Sequence, residues 1–116
     1  MTQRRPTAPR HLSVESKRIW RRIAADFDLW DDDAAMTTLN LALEARDRCE
    51  EARKILAREG LVVLNRFKES RAHPMIAVER DSRIACVRCL RELSLDGSDA
   101  GYESSRPPRI GSGGMS

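Results

Sequence analysis

Two cysteines three positions apart, Cys86 and Cys89, form the one pair in the sequence with the spacing of metal ligands. A zinc site needs about four ligands and usually a second such pair. The remaining candidates are only Cys49, His11 and His73. Both paired cysteines fall on the apolar face of a predicted helix, where a thiol packs as a small hydrophobic side chain. We therefore predict core packing with no functional metal and no cofactor, and a metal or redox role is the alternative.

An acidic run and a histidine offer two further kinds of chemistry. Asp31, Asp32 and Asp33 suggest a carboxylate metal site, but consecutive helical residues point about 100° apart and do not converge. Helix capping explains them without a ligand. His73 precedes Pro74 without an identifiable nucleophile or acid partner, as a catalytic base would need. The sequence also lacks a glycine-rich phosphate loop. We predict no catalytic residues and a protein that is not an enzyme.

Basic residues are concentrated near the N-terminus. Residues 1–30 carry seven lysines and arginines against three acids, whereas residues 31–60 carry eight acids against five bases. A basic arm that continues into a basic helical face is typical of proteins that bind a phosphate backbone, and a solvated face is the alternative. The predicted DNA-binding residues are Arg4, Arg5, Arg10, Lys17, Arg18, Arg21 and Arg22.

The elements that position these residues are predicted to be helices. Ser13 is a suitable N-cap for a first helix over Val14–Phe27, with a basic outer face. Its apolar face contains Ile19, Trp20, Ile23 and Phe27. For the aromatic residues Trp20, Phe27 and Trp30 we favour core packing, and stacking on bases is the alternative.

A long second helix is predicted over Asp32–Glu59, and Gly60 is a natural stop. Its apolar residues recur at alternating steps of three and four, a spacing typical of coiled coils. They are Ala35, Leu39, Ala42, Ala45, Cys49, Ala52 and Leu56.

A β-like run at residues 61–64 follows, with residues 67–69 as a short return strand or, alternatively, an extended loop. His73-Pro74 then opens a third helix. Its inner face is predicted to contain Met75, Val78, Ser82, Cys86, Cys89, Leu90 and Leu93.

The predicted fold is therefore mainly α: a helical hairpin with a long second helix, a short β-hairpin or extended segment, and a third helix. Residues 1–12 are expected to form a flexible basic arm, residues 13–95 a helical domain, and residues 96–116, rich in glycine, serine and proline, a disordered C-terminal tail. Only 4% of residues are aromatic and 34% are charged, which suits helices better than a β-sandwich. The sequence has an odd number of cysteines, and it contains neither a membrane-spanning stretch nor a secretory signal. We therefore predict a cytosolic protein with reduced thiols.

The order of several short motifs over residues 9–95 resembles one branch of the tailed-phage terminase small subunits. Pro9-Arg10-His11-Leu12-Ser13 resembles that branch's Pro-x-x-Leu-Ser opening, and Glu59-Gly60-Leu61-Val62-Val63 its Gly-Leu-Val after a long helix. His73-Pro74 and Arg91-Glu92-Leu93-Ser94-Leu95 follow in the same order. Ser94 replaces the glycine usual in the family, and Asp96-Gly97-Ser98 replaces its common proline and arginine.

This resemblance implies a helical terminase-small-subunit-like domain that binds double-stranded viral DNA and forms a ring-like homo-oligomer. It further implies a partnership with a large subunit that holds the ATPase and nuclease, in the cytoplasm of the bacterial host, and no catalytic residues or membrane contact. Three other functions remain open. They are a helix-turn-helix DNA-binding regulator, a structural helical assembly protein without a nucleic-acid role, and a small metalloprotein or enzyme built on Cys86 and Cys89.

Overall fold

The computed structural model describes residues 6–93 and contains three helices and one antiparallel hairpin, which confirms the predicted fold class. The elements are α1 (Val14–Asp26), α2 (Asp33–Glu59), β1 (Val62–Leu64), β2 (Ser70–Ala72) and α3 (Met75–Glu92). The predicted tail and the first five residues of the arm lie outside the described residues, and the division into arm, domain and tail stays a prediction. None of the helices in the described part has the length and apolar character that crossing a bilayer requires.

Local capping residues set three of the helix ends, namely the start of α1 and both ends of α2. The Ser13 hydroxyl accepts a hydrogen bond from the Ser16 amide at the start of α1, and the Asp32 carboxylate accepts one from the Ala35 amide at the start of α2. Gly60 ends α2 with a φ of 84°, a conformation that costs little without a side chain. The capping assigned to the aspartate run thus belongs to Asp32.

The core lies where α1 crosses the first half of α2 and the last turns of α3. Trp20 and Leu39 are fully buried there, and Leu12, just before α1, is buried with them. The most extensive helix contact joins α2 to α3. The predicted inner faces of these two helices are confirmed, because every residue assigned to them is buried or half-buried.

One prediction about an apolar residue is wrong, and one buried residue was not predicted. Phe27 is 43% exposed rather than packed in the core, because α1 ends at Asp26 and Phe27 is the C-cap, where the backbone leaves the helix. Leu43, which lies off the predicted stripe of α2, is almost completely buried against α1.

The segment after α2 is a true hairpin, but its return strand begins later than predicted. The predicted strand over 67–69 is wrong: these residues belong to the turn, and β2 runs over Ser70–Ala72, with Val63 opposite Arg71. A five-residue connection forms without glycine because Lys68 adopts a positive φ of 62°. The Asn65 side chain also accepts hydrogen bonds from the amides of Phe67 and Glu69. Asparagine side chains stabilise turns in this way.

Candidate nucleic-acid interface

Three of the predicted DNA-binding residues lie together on one surface of the molecule. Lys17 and Arg21 are four positions apart in α1 and therefore share a face, and Arg10 approaches the same face from the preceding segment. They surround a groove of about 410 Å³. Its lining is completed by Pro6, Thr7, Ala8, Ala25 and Trp30. We call this surface the basic groove.

The cations of the basic groove have no carboxylate partner within the described residues. No ion pair there involves Arg10, Lys17 or Arg21. Their positive charge is therefore not offset by a direct neighbour, which favours an anionic ligand.

Arg18 and Arg22 occupy a neighbouring strip of α1 and are each paired with an acid of the same helix. Arg18 donates to Glu15 at 2.5 Å, and Arg22 donates to Asp26 at 3.3 Å. The hydrogen bond from Arg18 lowers the pKa of Glu15. Surface pairs of this kind are weak, so both arginines remain accessible to phosphates at a small cost. Arg4 and Arg5 lie outside the described residues.

A polar joint, not predicted from the sequence, fixes the start of α1 on α2. The Asp47 carboxylate accepts hydrogen bonds from the Ser13 amide and hydroxyl, both at 2.7 Å, and from the Ser16 hydroxyl at 2.5 Å. Arg46 in turn donates to the Ser16 hydroxyl at 3.1 Å. Ser16 is fully buried, so its hydroxyl depends on these partners. The joint sets how α1 presents Lys17 and Arg21.

Burial and hydrogen bonding act in opposite directions on Asp47. Burial alone raises the pKa of its carboxyl, but the hydrogen bonds from Ser16 and Ser13 outweigh that effect and hold the pKa below its usual value. Asp47 is therefore ionised at neutral pH.

The middle of α1 is held on α2 through Trp20, against which Trp30 packs. The Trp20 indole N–H donates to the Asn40 side-chain oxygen at 2.6 Å, and the Trp30 ring packs edge-to-face on Trp20 with centroids 6.1 Å apart. Core packing is thus the role observed for Trp20, whereas Trp30 also lines the basic groove.

The residues considered for metal or acid–base chemistry have structural contacts. Within residues 6–93, no group of three or more His, Cys, Asp or Glu side chains could hold a metal ion. Burial raises the pKa of the Cys49 and Cys86 thiols, which makes them less reactive at neutral pH. His73 is buried, with Nε2 at 2.8 Å from the Glu59 carboxylate and Nδ1 accepting from the Met75 amide at 3.0 Å. It joins the end of α2 to the start of α3.

Two other surfaces differ from the basic groove. One is acidic, and the other is basic but lies apart from the groove. A larger groove of about 690 Å³ lies over Asp47, where four carboxylates outnumber the two cations Arg46 and Lys54. Its net negative charge disfavours phosphates. The four carboxylates are Glu15, Asp47, Glu50 and Glu51. The hairpin carries Arg66, Lys68 and Arg71 outside the helical core.

A family model described as phage terminase, small subunit, matches residues 16–102, about three-quarters of the chain. No curated protein and no solved structure matches the chain. The family match covers α1 from Ser16 onward, α2, the hairpin and α3. It includes the motifs from Glu59 to Leu95, whereas the Pro9–Ser13 motif lies outside it.

Proposed function

This chain belongs to the phage terminase small-subunit family and has a role in phage DNA packaging; from that premise we propose that it is the non-catalytic, DNA-binding subunit of the packaging terminase. Terminase small subunits are generally non-catalytic. In the proposed role the chain binds double-stranded viral DNA, associates with further copies of itself, and recruits or regulates the large subunit.

The observation that carries the DNA-binding proposal is the convergence of Arg10, Lys17 and Arg21 on the basic groove. They come from two segments of the chain, and none has an acidic partner in the described region. Arginine suits phosphate oxygens because its planar fork bonds them in pairs. The aspartates at the start of α2 are exposed and would repel phosphates, so we expect DNA to approach from the α1 side.

Self-association is proposed from apolar side chains that the three helices leave uncovered. Leu41 on α2 and Val87 on α3 are 52% and 53% exposed, and Ile84 is also exposed. Covering such a side chain contributes on the order of 1–3 kcal/mol. A ring of subunits would also repeat the basic groove, and repeated weak contacts raise the overall affinity through effective concentration.

The experiment that tests DNA binding is a titration with double-stranded DNA at several salt concentrations. The variant Arg10→Ala/Lys17→Ala/Arg21→Ala should bind more weakly. The slope of log affinity against log salt should be shallower by about 0.9 for each phosphate that the variant no longer neutralises. The matched control is Arg18→Ala/Arg22→Ala, which also removes cations from α1. Its effect should be smaller, because these two arginines already pair with carboxylates.

A variant without residues 1–5 measures the contribution of Arg4 and Arg5 separately, since both precede the described residues. Absence of DNA binding by the unaltered protein would refute the proposal. Binding that persists without the cations of the basic groove and without residues 1–5 would place the DNA site elsewhere. Recruitment of the large subunit is tested by co-purification with the product of the gene immediately downstream, which should contain ATPase and nuclease activities.

A further inference from the structure

The tip of the hairpin exposes an aromatic ring between two cations. Phe67 is 67% exposed, and the Arg66 guanidinium lies 4.9 Å from the centre of its ring. Lys68 follows in the chain, and neither Arg66 nor Lys68 forms an ion pair within residues 6–93. The third cation of the hairpin, Arg71, pairs with Glu69 at 3.1 Å. Residues 61–72 therefore carry an excess of positive charge that is concentrated at the tip.

Hydrogen bonds within the turn stabilise the conformation of this tip. The Asn65 side chain accepts hydrogen bonds from two amides of the turn and donates one to the Glu69 carboxylate at 3.1 Å. Backbone hydrogen bonds from Asn65 to Glu69 and from Lys68 to Asn65 close the loop. Lys68 keeps a positive φ, which costs a non-glycine residue free energy. A tip fixed in advance loses less entropy when it binds a partner.

The hairpin is also separate from the helical core and from the basic groove. Its strands pair with each other and contact the helices at few points. Asn40, which bonds Trp20, precedes the end of α2 by 19 residues, a distance of roughly 28 Å along a helix. Substitutions at the tip should therefore leave the basic groove intact.

We propose that the hairpin tip is a second DNA contact, in which Phe67 wedges against a base step while Arg66 and Lys68 bind the flanking phosphates. Charge complementarity favours a polyanion, because the tip joins two unpaired cations to the exposed ring. Two-stranded ribbons fit DNA grooves, and apolar side chains inserted between base steps are a recognised way of gripping and kinking a duplex. This inference rests on the proposed DNA binding, but it assigns a different surface and a non-electrostatic contact.

The two kinds of contact predict different salt behaviour. Phe67 neutralises no phosphate, so Phe67→Ala should weaken double-stranded DNA binding at least five-fold with an unchanged salt slope. Phe67→Trp, which keeps a flat ring, should retain the affinity. Arg66→Ala/Lys68→Ala should instead make the slope shallower. The matched control is Leu64→Ala, which removes an exposed apolar side chain from β1 behind the tip.

The experiment is a set of duplex titrations with the full chain, alongside sedimentation and thermal melting of each variant. The expected result is weaker binding by Phe67→Ala, with the melting temperature and assembly state of the unaltered protein. Wild-type affinity in Phe67→Ala would overturn the inference while leaving the proposed function in place. Loss of assembly in that variant would also overturn it, because the tip would then contact another copy of the chain. Absence of DNA binding by the unaltered protein would refute both proposals.

Discussion

The Asp47 joint makes a quantitative prediction, because one carboxylate serves three donors at the start of α1. Asp47→Ala removes the acceptor of the Ser13 amide, the Ser13 hydroxyl and the Ser16 hydroxyl. Ser13 is exposed, so water replaces Asp47 for its two groups. Ser16 is fully buried, and its hydroxyl loses its acceptor while keeping only the donor Arg46.

The magnitude follows from the type of hydrogen bond and from burial. Hydrogen bonds to charged groups contribute about 1.5–3 kcal/mol each, and a buried donor left unpaired costs about 1–3 kcal/mol. Because the three bonds share one carboxylate and two donors regain water, we expect a total loss of about 2–4 kcal/mol. A domain of this size has only about 5–15 kcal/mol of stability, so the loss should lower the melting temperature by about 8 °C or more.

The assay is urea unfolding followed by circular dichroism at a fixed protein concentration, since self-association would make stability depend on concentration. Glu51→Ala is the matched control, because Glu51 is an exposed carboxylate of the same helix and makes no hydrogen bond or ion pair within the described residues. A free energy of unfolding for Asp47→Ala within about 0.5 kcal/mol of Glu51→Ala would refute the reasoning, since that is the range of ordinary surface substitutions.

Asp47→Asn adds a test through pH. The folded-state pKa of Asp47 is below its usual value, so the ionised carboxylate contributes stability above the unfolded pKa of about 3.9. That contribution is lost as pH falls through the folded-state pKa. The difference in unfolding free energy between the unaltered protein and Asp47→Asn should therefore be constant from neutral pH to about pH 5, and should shrink below about pH 4. A difference that grows on acidification would contradict the assignment.

Two further substitutions test other parts of the structure. His73→Ala should destabilise the protein by about 1–3 kcal/mol in urea unfolding, because it leaves the Met75 amide without its acceptor. The control His11→Ala, at an exposed histidine, should have little effect on the free energy of unfolding. Equal effects of the two substitutions would contradict the role of His73. Leu41→Glu/Val87→Glu should reduce the mass of the assembly measured by sedimentation, because it places charges on the exposed apolar positions proposed for self-association. The control Thr37→Glu, at an exposed polar position of α2, should leave the mass unchanged. An unchanged mass in the double variant would exclude these side chains from the contact between copies.

The sequence predicted those features of the fold that depend on near neighbours. Ser13, the aspartate run 31–33 and Gly60 act within one helical turn, so residue type located three helix ends. Within that run, Asp32 is the N-cap and not, as predicted, the first residue of α2. The return strand was misplaced because the turn depends on two hydrogen bonds accepted by the Asn65 side chain and on the positive φ of Lys68. The turn contains no glycine, so its sequence does not indicate a positive φ. Phe27 was misassigned because the apolar spacing continues one residue beyond the end of α1.

The candidate site was likewise predictable only where it depends on residues close together in the sequence. The spacing of Lys17 and Arg21 places them on one helical face, but only the folded chain shows Arg10 beside them. The pairs Arg18–Glu15 and Arg22–Asp26 were not predicted, although their spacings of three and four are those that bring charges together on a helix. Asp47 left no local signal, because its partners lie more than thirty positions earlier in the chain.

The positions of the two tryptophans give the protein a built-in optical reporter. The sequence contains only Trp20 and Trp30, and both lie where α1 meets α2. Their intrinsic fluorescence should therefore follow the detachment of α1, because the buried indole of Trp20 would lose its bond to Asn40 and enter water. Opening of the hairpin, or fraying of α3 near Met75, would leave the emission unchanged. Comparing fluorescence with circular dichroism thus separates release of the helix that carries Lys17 and Arg21 from unfolding of the remaining helices.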